Sequence, residues 1–300
     1  MQALAEGTIF ASRYRIKRRV ASTRSSVVYQ AAHCDLDRLG AIKIKRASGA
    51  NSGLSVVQEG RILASLHDPG VVSVYDCGLV DNRGYLITEW AHGETVASLI
   101  DRGALTSPRA INITASIAHT LHKVHTQGFV HRDVKPSNVI VLTSTGNNDC
   151  AIKLIDFGVA RALDHINNGT RKSAQWGRVS GTLAYMAPEQ LTGRRESIAT
   201  DIYALGVCLF EMIFGSTPMP VTSENAQAIG IPSESAPFLF GGEVVVRKLL
   251  EEPVIPTIDG KMTTINSLLT YMLRRDPNDR PATMHEVGEC LDAIALAPSL

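Results

Sequence analysis

An α+β fold, a small antiparallel sheet with one main helix followed by a larger and mostly helical part in one large domain or two lobes, is what the sequence predicts. Two observations carry it. Short runs of alternating polarity fill the first ninety or so residues, and after His92-Gly93 the pattern lengthens into amphipathic helical stretches. A third observation is bulk: 300 residues, 44% apolar and 20% charged, can bury a substantial core and are not the composition of a disordered or fibrous chain.

In chain order, YRIKRRV from Tyr14, SVVYQAA from Ser26, LGAIKIK from Leu39, VVSVYDCG from Val71 and GYLITEW from Gly84 read as strands, because their apolar residues recur with a period near two. Between them, VVQEGRILASLH sets Val56, Ile62, Leu63 and Leu66 at helical spacing. Residues 107–126 form the clearest long helix, with Ser107-Pro108 as cap and first turn, where the missing proline N–H costs nothing. Short strand pairs are expected around 139–155, and mostly helix thereafter. IYALGVCLFEMIF from Ile202 is too short to cross a bilayer and contains Glu211, so it reads as a buried helix. Residues 216–261, with their prolines and glycines, give no firm pattern of elements.

A net charge of +1 gives no electrostatic reason to expect nucleic acid or an anionic membrane as partner, and the basic residues 15–19 read as a solvated strand face. The five cysteines (Cys34, Cys77, Cys150, Cys208, Cys290) are scattered, odd in number and never at metal-ligand spacing, which fits reduced thiols in a cytoplasmic protein. The opening residues lack the basic-then-apolar layout of a signal peptide.

Chemistry is announced at FVHRDVKPSNVIVL, residues 129–142. Here His131, Arg132, Asp133, Lys135, Ser137 and Asn138 stand between apolar runs, where ionisable groups are costly unless paired. LIDFGVAR follows at 154–161 and GTLAYMAPEQ at 181–190. In that order and spacing, the three stretches resemble the catalytic loop, metal-binding loop and substrate-loop end of the eukaryotic-type protein kinases, in the style of the bacterial serine/threonine enzymes. The resemblance covers roughly 14–294. It implies the two-lobed protein-kinase-like fold: an N-terminal segment 1–13, an N-lobe 14–90, a C-lobe 91–294 with an activation segment at 156–189, and a tail 295–300.

The resemblance also implies roles. Asp133 would orient the acceptor hydroxyl and take its proton; Lys135 would reach the transferring phosphate; Asn138 and Asp156 would offer hard oxygen ligands to Mg2+. Lys43 of AIK would bind the ATP phosphates and be held by Glu59, with Lys45 as the plainer alternative on the same strand face and an exposed helix charge as the plainer reading of Glu59. Val20, Val28, Ala41 and Ile140 would enclose the adenine, Thr88 would be the gatekeeper, and backbone groups of Glu89 and Ala91 would meet the adenine edge. Thr182 would bridge Asp133 and Lys135. Arg132 reads either as the partner of a phosphate on the activation segment or as a surface salt bridge. His131 reads as a packing histidine against Phe157, in a column with Leu63 and Val74. Glu189 and Arg280 would form a buried ion pair, and Asp201 would anchor the catalytic-loop backbone. Glu94 would meet a ribose or a basic substrate residue, or be a solvated charge. The implied partners are a protein substrate and ATP, without nucleic acid or membrane insertion, and with a dimer through the N-lobe or activation segment as an open expectation.

The sequence departs from the family ahead of Val28. Aligned through Val28-Tyr29 it reads V-A-S-T-R-S-S-V-V-Y, with Ala21, Thr23 and Ser26 where three phosphate-loop glycines would stand. The hydroxyls of Ser22, Thr23, Ser25 and Ser26, with Arg24 at the tip, are the candidate substitutes. Losing one charged hydrogen bond to phosphate costs on the order of 1.5 to 3 kcal/mol. An active enzyme is therefore the first reading and a pseudokinase scaffold the second. A small-molecule kinase is a third, disfavoured by GTLAYMAPEQ. Thr170, Ser173 and Ser180 are candidate phosphorylation sites, and Arg178 stands where many relatives carry a phosphothreonine.

Overall fold

A computed structural model describes residues 4–23, 25–46, 52–143, 150–157, 160–162, 183–219, 248, 251–256 and 262–297. The chain separates into two compact units, Met1–Gly93 with Ile155–Val159, and Glu94–Leu154 with Ala160–Leu300.

The first unit is built on six antiparallel strands: β1 (Ile9–Phe10), β2 (Tyr14–Ser22), β3 (Ser26–His33), β4 (Leu39–Lys45), β5 (Val74–Val80) and β6 (Arg83–Glu89), in the order β1-β2-β3-β4-β6-β5. Period-two alternation divides the faces. Tyr29, Ala31, Ile42, Ile44 and Ile87 go into the core of one face, with Phe10, Tyr14 and Ile16, whereas Val28, Ala41 and Lys43 are only half-buried on the other. The basic stretch of β2 is exposed, as its sequence predicts.

Helix α1 (Ser52–Ser65) packs against β5 and β6, four residues longer at its start than the apolar pattern suggested. The approach is close because of Gly60: a methyl group there would lie 2.8 Å from Cys77 Sγ and 3.3 Å from Leu86 Cδ1. Cys77 pairs with Leu86, and Leu86 pairs with Lys43, so the residue beside Gly60 is carried to the lysine.

In the second unit, β7 (Gly93–Thr95) leads into α2 (Val96–Asp101), whose first turn is capped by Thr95 Oγ1 accepting from Ser98 N at 3.1 Å. The long helix α3 (Ser107–Thr126) follows, its cap at Thr106 rather than Ser107. Next come β8 (Phe129–Val130), a 3₁₀ turn (Pro136–Asn138), β9 (Val139–Leu142), β10 (Ile152–Leu154) and β11 (Arg161–Ala162). Strands β10, β9 and β7 form one small sheet, and β11 pairs with β8.

Helix α4 (Pro188–Thr192) precedes α5 (Ile198–Phe214), the run read as a buried helix, and 13 of the 17 residues of α5 are buried. Ser197 caps α5, accepting from Ala199 N at 3.3 Å, and Gly215 ends it at φ 75°, a backbone that a side chain would strain. Helices α6 (Met262–Met272) and α7 (Met284–Leu296) complete the unit, with α7 lying along α3 and α6 against α5. No helix among the described residues is long and apolar enough to cross a membrane, and the five cysteines are free thiols.

Candidate active site

In the first unit, three side chains meet at Lys43. Its Nζ lies 2.9 Å from Glu59 Oε1 and 2.7 Å from Asp156 Oδ1. Glu59 is almost wholly buried, so it is not the exposed helix charge of the plainer reading; Asp156 keeps 40% of its side-chain surface exposed. The lysine that pairs with Glu59 is Lys43, a partnership that alternation alone does not give. Burial works against the lysine's charge, but Asp156 and Glu59 outweigh it and hold the amine above its ordinary value. Burial likewise pushes the Glu59 carboxyl up, against the pull of Lys43. Asp156 holds its position at φ 64°, a left-handed backbone that costs of order 1 to 3 kcal/mol.

On the same unit, Val28 pairs with Lys43, and Ala41 with Thr88, so the half-buried face carries several of the residues expected around a nucleotide. Val20 sits at a register shift of β2 and is 42% exposed, an apolar side chain without a core. At the end of β6, Glu89 N donates to Ser73 O at 2.8 Å and the Glu89 carboxylate accepts from Ser73 N at 2.9 Å, which braces the segment leading to Ala91.

The hairpin ahead of Val28 closes on itself. Thr23 N donates to Ser26 O at 2.8 Å, and Thr23 Oγ1 accepts from Ser26 N at 3.0 Å and from Ser25 N at 3.3 Å. Ser22 Oγ accepts from Arg46 Nη2 at 2.9 Å. None of the described hairpin residues has a positive φ. Two backbone donors of the hairpin, Ser25 N and Ser26 N, are spent on a threonine hydroxyl. Arg24 lies outside the described residues.

In the second unit the catalytic-loop stretch hangs from Asp201. This fully buried carboxylate accepts from His131 N at 2.9 Å, Arg132 N at 2.7 Å and His125 Nε2 at 2.8 Å. Burial alone would raise its pKa; the bonds from His125 and the loop backbone outweigh burial and hold it below the ordinary range. Asp133 Oδ2 then takes Lys135 Nζ at 2.6 Å and Asn138 Nδ2 at 3.1 Å, while Asn138 Nδ2 also reaches Asp133 O at 2.9 Å. This fixes the Asn138 amide with its oxygen turned away from Asp133. Ile140 is half-buried on β9.

Arg132 differs from the surface salt bridge that was one reading of it. It is buried, stands at φ 71° and pairs with the buried carboxylate of Glu196, while its carbonyl accepts from Gln190 Nε2 at 3.0 Å. Nothing in GRRES marks Glu196 out from a solvated charge, and neither it nor Gln190 was legible from spacing. Glu94 pairs with Arg102, so no ligand role is needed to explain its charge. Further along, Glu189 accepts both terminal nitrogens of Arg280 at 2.9 Å and the Thr200 hydroxyl at 2.9 Å. Leu63, His131 and Phe157 are each buried, and Val74 half-buried. Thr182, with Thr170, Ser173, Arg178 and Ser180, lies outside the described residues.

A protein kinase domain model matches residues 14–290. A probable serine/threonine-protein kinase PknB of Lactococcus lactis subsp. lactis is 32% identical over 283 residues, covering 91% of this chain and 44% of the relative. PknL of Mycobacterium tuberculosis is 30% identical over 294 residues, covering 97% of this chain and 67% of the relative. PknJ of the same species is 31% identical over 299 residues, covering 98% and 46%. The chain thus spans less than half the length of some of the relatives it matches. By the matched model and the relatives it resembles, the chain belongs to the protein kinase family, in its bacterial serine/threonine branch.

Proposed function

We propose that this chain transfers the γ-phosphoryl group of Mg-ATP to serine and threonine hydroxyls of a protein substrate. The observation that carries the reading is Lys43 held between Glu59 and Asp156 at 2.9 and 2.7 Å, a phosphate-binding amine kept charged and in place. Phosphoryl transfer asks a protein mainly for position and charge, which is what these groups supply.

The family generally works with ATP and magnesium, and the donor set here suits them. Asp156 presents a half-exposed carboxylate and Asn138 an amide oxygen on the side away from Asp133, hard oxygens of the kind magnesium takes alongside phosphate and water. When bound, magnesium neutralises phosphate charge. Lys43 would hold the α and β phosphates, and Val20, Val28, Ala41 and Ile140 would cover the adenine between Thr88 and the backbone of Glu89 and Ala91. Asp133, aimed by Asn138 and Lys135, would orient the acceptor hydroxyl and receive its proton, and Lys135 would steady the transferred group. Thr182 would complete the bridge between Asp133 and Lys135.

The self-closed hairpin favours a second reading, a pseudokinase with weak or no nucleotide binding that acts as a scaffold. Labelled γ-phosphate transfer to the chain itself and to a generic basic protein, over a wide ATP range, separates the two. Incorporation that saturates only at high ATP and disappears in Asp133→Asn supports the enzyme; no incorporation at any ATP level supports the scaffold.

A further inference from the structure

Beneath the segment that ends the substrate loop lies an amine that the mechanism above leaves unused. Lys248 is 1% exposed, and its Nζ donates to the carbonyl oxygens of Ala184 and Met186, the latter at 2.8 Å. Between those carbonyls, Tyr185 sends its hydroxyl to Glu211 Oε2 on α5 at 2.6 Å. Three successive residues are thus fastened from two sides, by backbone to the lysine and by side chain to the helix.

Packing alone does not explain a lysine at this place. Among the described residues no carboxylate lies within ion-pair distance of it; the nearby Glu189 and Arg280 are paired with each other at 2.9 Å, and the Tyr203 ring centre is 5.1 Å away. Burying an amine is costly, and burial depresses this one to about 7, with Glu189 favouring its charge. An apolar residue of the same length would fill the space without that cost, but it would leave two carbonyls without donors.

We propose that Lys248 is a positioning residue for the protein substrate, setting the backbone of residues 184–186 so that the segment keeps the shape against which a substrate chain lies. The proposal rests on the kinase reading for the word substrate, but the fastening itself does not. Lys248→Met keeps length and volume while removing the donors, and Lys248→Arg restores them.

Two measurements test it on the full chain. Steady-state transfer to a basic protein should show the KM for that protein raised about tenfold or more in Lys248→Met, the KM for ATP within about twofold of wild type, and partial recovery in Lys248→Arg. Amide hydrogen exchange should show residues 183–187 exchanging at least about tenfold faster in Lys248→Met, with α5 and α7 unchanged. Unchanged exchange at 183–187 overturns the proposal, as does a rise in both KM values together, which is the mark of a general structural role. Should the wild type transfer no phosphate, the kinase reading fails, and the exchange comparison alone still decides whether Lys248 holds the segment.

Discussion

At the scale of single residues, the site is a set of charges whose partners are all close at hand. Arg132 is the sharpest case: a buried guanidinium on a strained backbone position one residue before Asp133, matched by the buried Glu196. Breaking a buried ion pair costs about 3 to 5 kcal/mol, whereas replacing both members with apolar residues can be nearly neutral. Glu196→Gln is therefore expected to lower the melting temperature by roughly 6 to 20 °C, at about 2 to 4 °C per kcal/mol for a unit of this size. Arg132→Met with Glu196→Leu should recover most of that loss. Scanning calorimetry of the three proteins checks it, and a double variant no more stable than Glu196→Gln would contradict the pairing. Residue-scale legibility was uneven for a plain reason. HRDVKPSN declares itself because loop chemistry demands those types in that order, but Glu196 pairs across 64 positions of chain, and no local pattern carries such a partnership.

At the scale of elements, two arrangements in the first unit bear on the nucleotide binding proposed above. The first is the contact of α1 with the sheet at Gly60, which brings Glu59 to Lys43. Gly60→Ala must displace Cys77 or the helix, and overpacking of this kind costs about 1 to 3 kcal/mol. The variant should lose thermal stability by that amount and raise the KM for ATP severalfold; Cys77→Ala in the same chain, which removes the 2.8 Å conflict, should restore part of both. The second is the β2–β3 hairpin, whose donors close on Thr23. Replacing Ala21, Thr23 and Ser26 together by glycine frees those N–H groups, and regaining one charged hydrogen bond corresponds to about tenfold or more in ATP affinity. Nucleotide titration by calorimetry reads this directly; an affinity unchanged or weakened would mean that the closed hairpin does not limit binding. The strands were legible from alternation. The way in which a glycine-free turn disposes of its donors was not, since it depends on which hydroxyl reaches which amide.

At the scale of the whole molecule, buried charge links stability to pH. Lys248 has its amine depressed to about 7 by burial, against an ordinary value of 10.5, with Glu189 favouring and Arg280 opposing its charge. Below pH 7 the folded and unfolded chains both carry the proton, and the full cost of burying it applies. Between about 7 and 10.5 the folded chain is neutral there while the unfolded chain is still protonated, so the cost shrinks as pH rises. The melting temperature of the wild type, taken relative to Lys248→Met, should therefore climb steadily from pH 6.5 to 9.5. A flat difference would mean that the amine titrates normally. What the sequence determined by itself was the family, the main strands and single helix of the first unit, the long helix at 107–126 and the types of residue at the catalytic loop, because these depend on local periodicity and on motifs whose chemistry tolerates few substitutes. What only the tertiary structure decided was partnership: Lys43 for Glu59, Glu196 for Arg132, Thr23 for its own hairpin, Lys248 for the carbonyls of Ala184 and Met186. A charge is placed by sequence, but the cost of burying it is met by whichever group the fold brings within about 3 Å, and that distance is set by packing between segments remote in the chain.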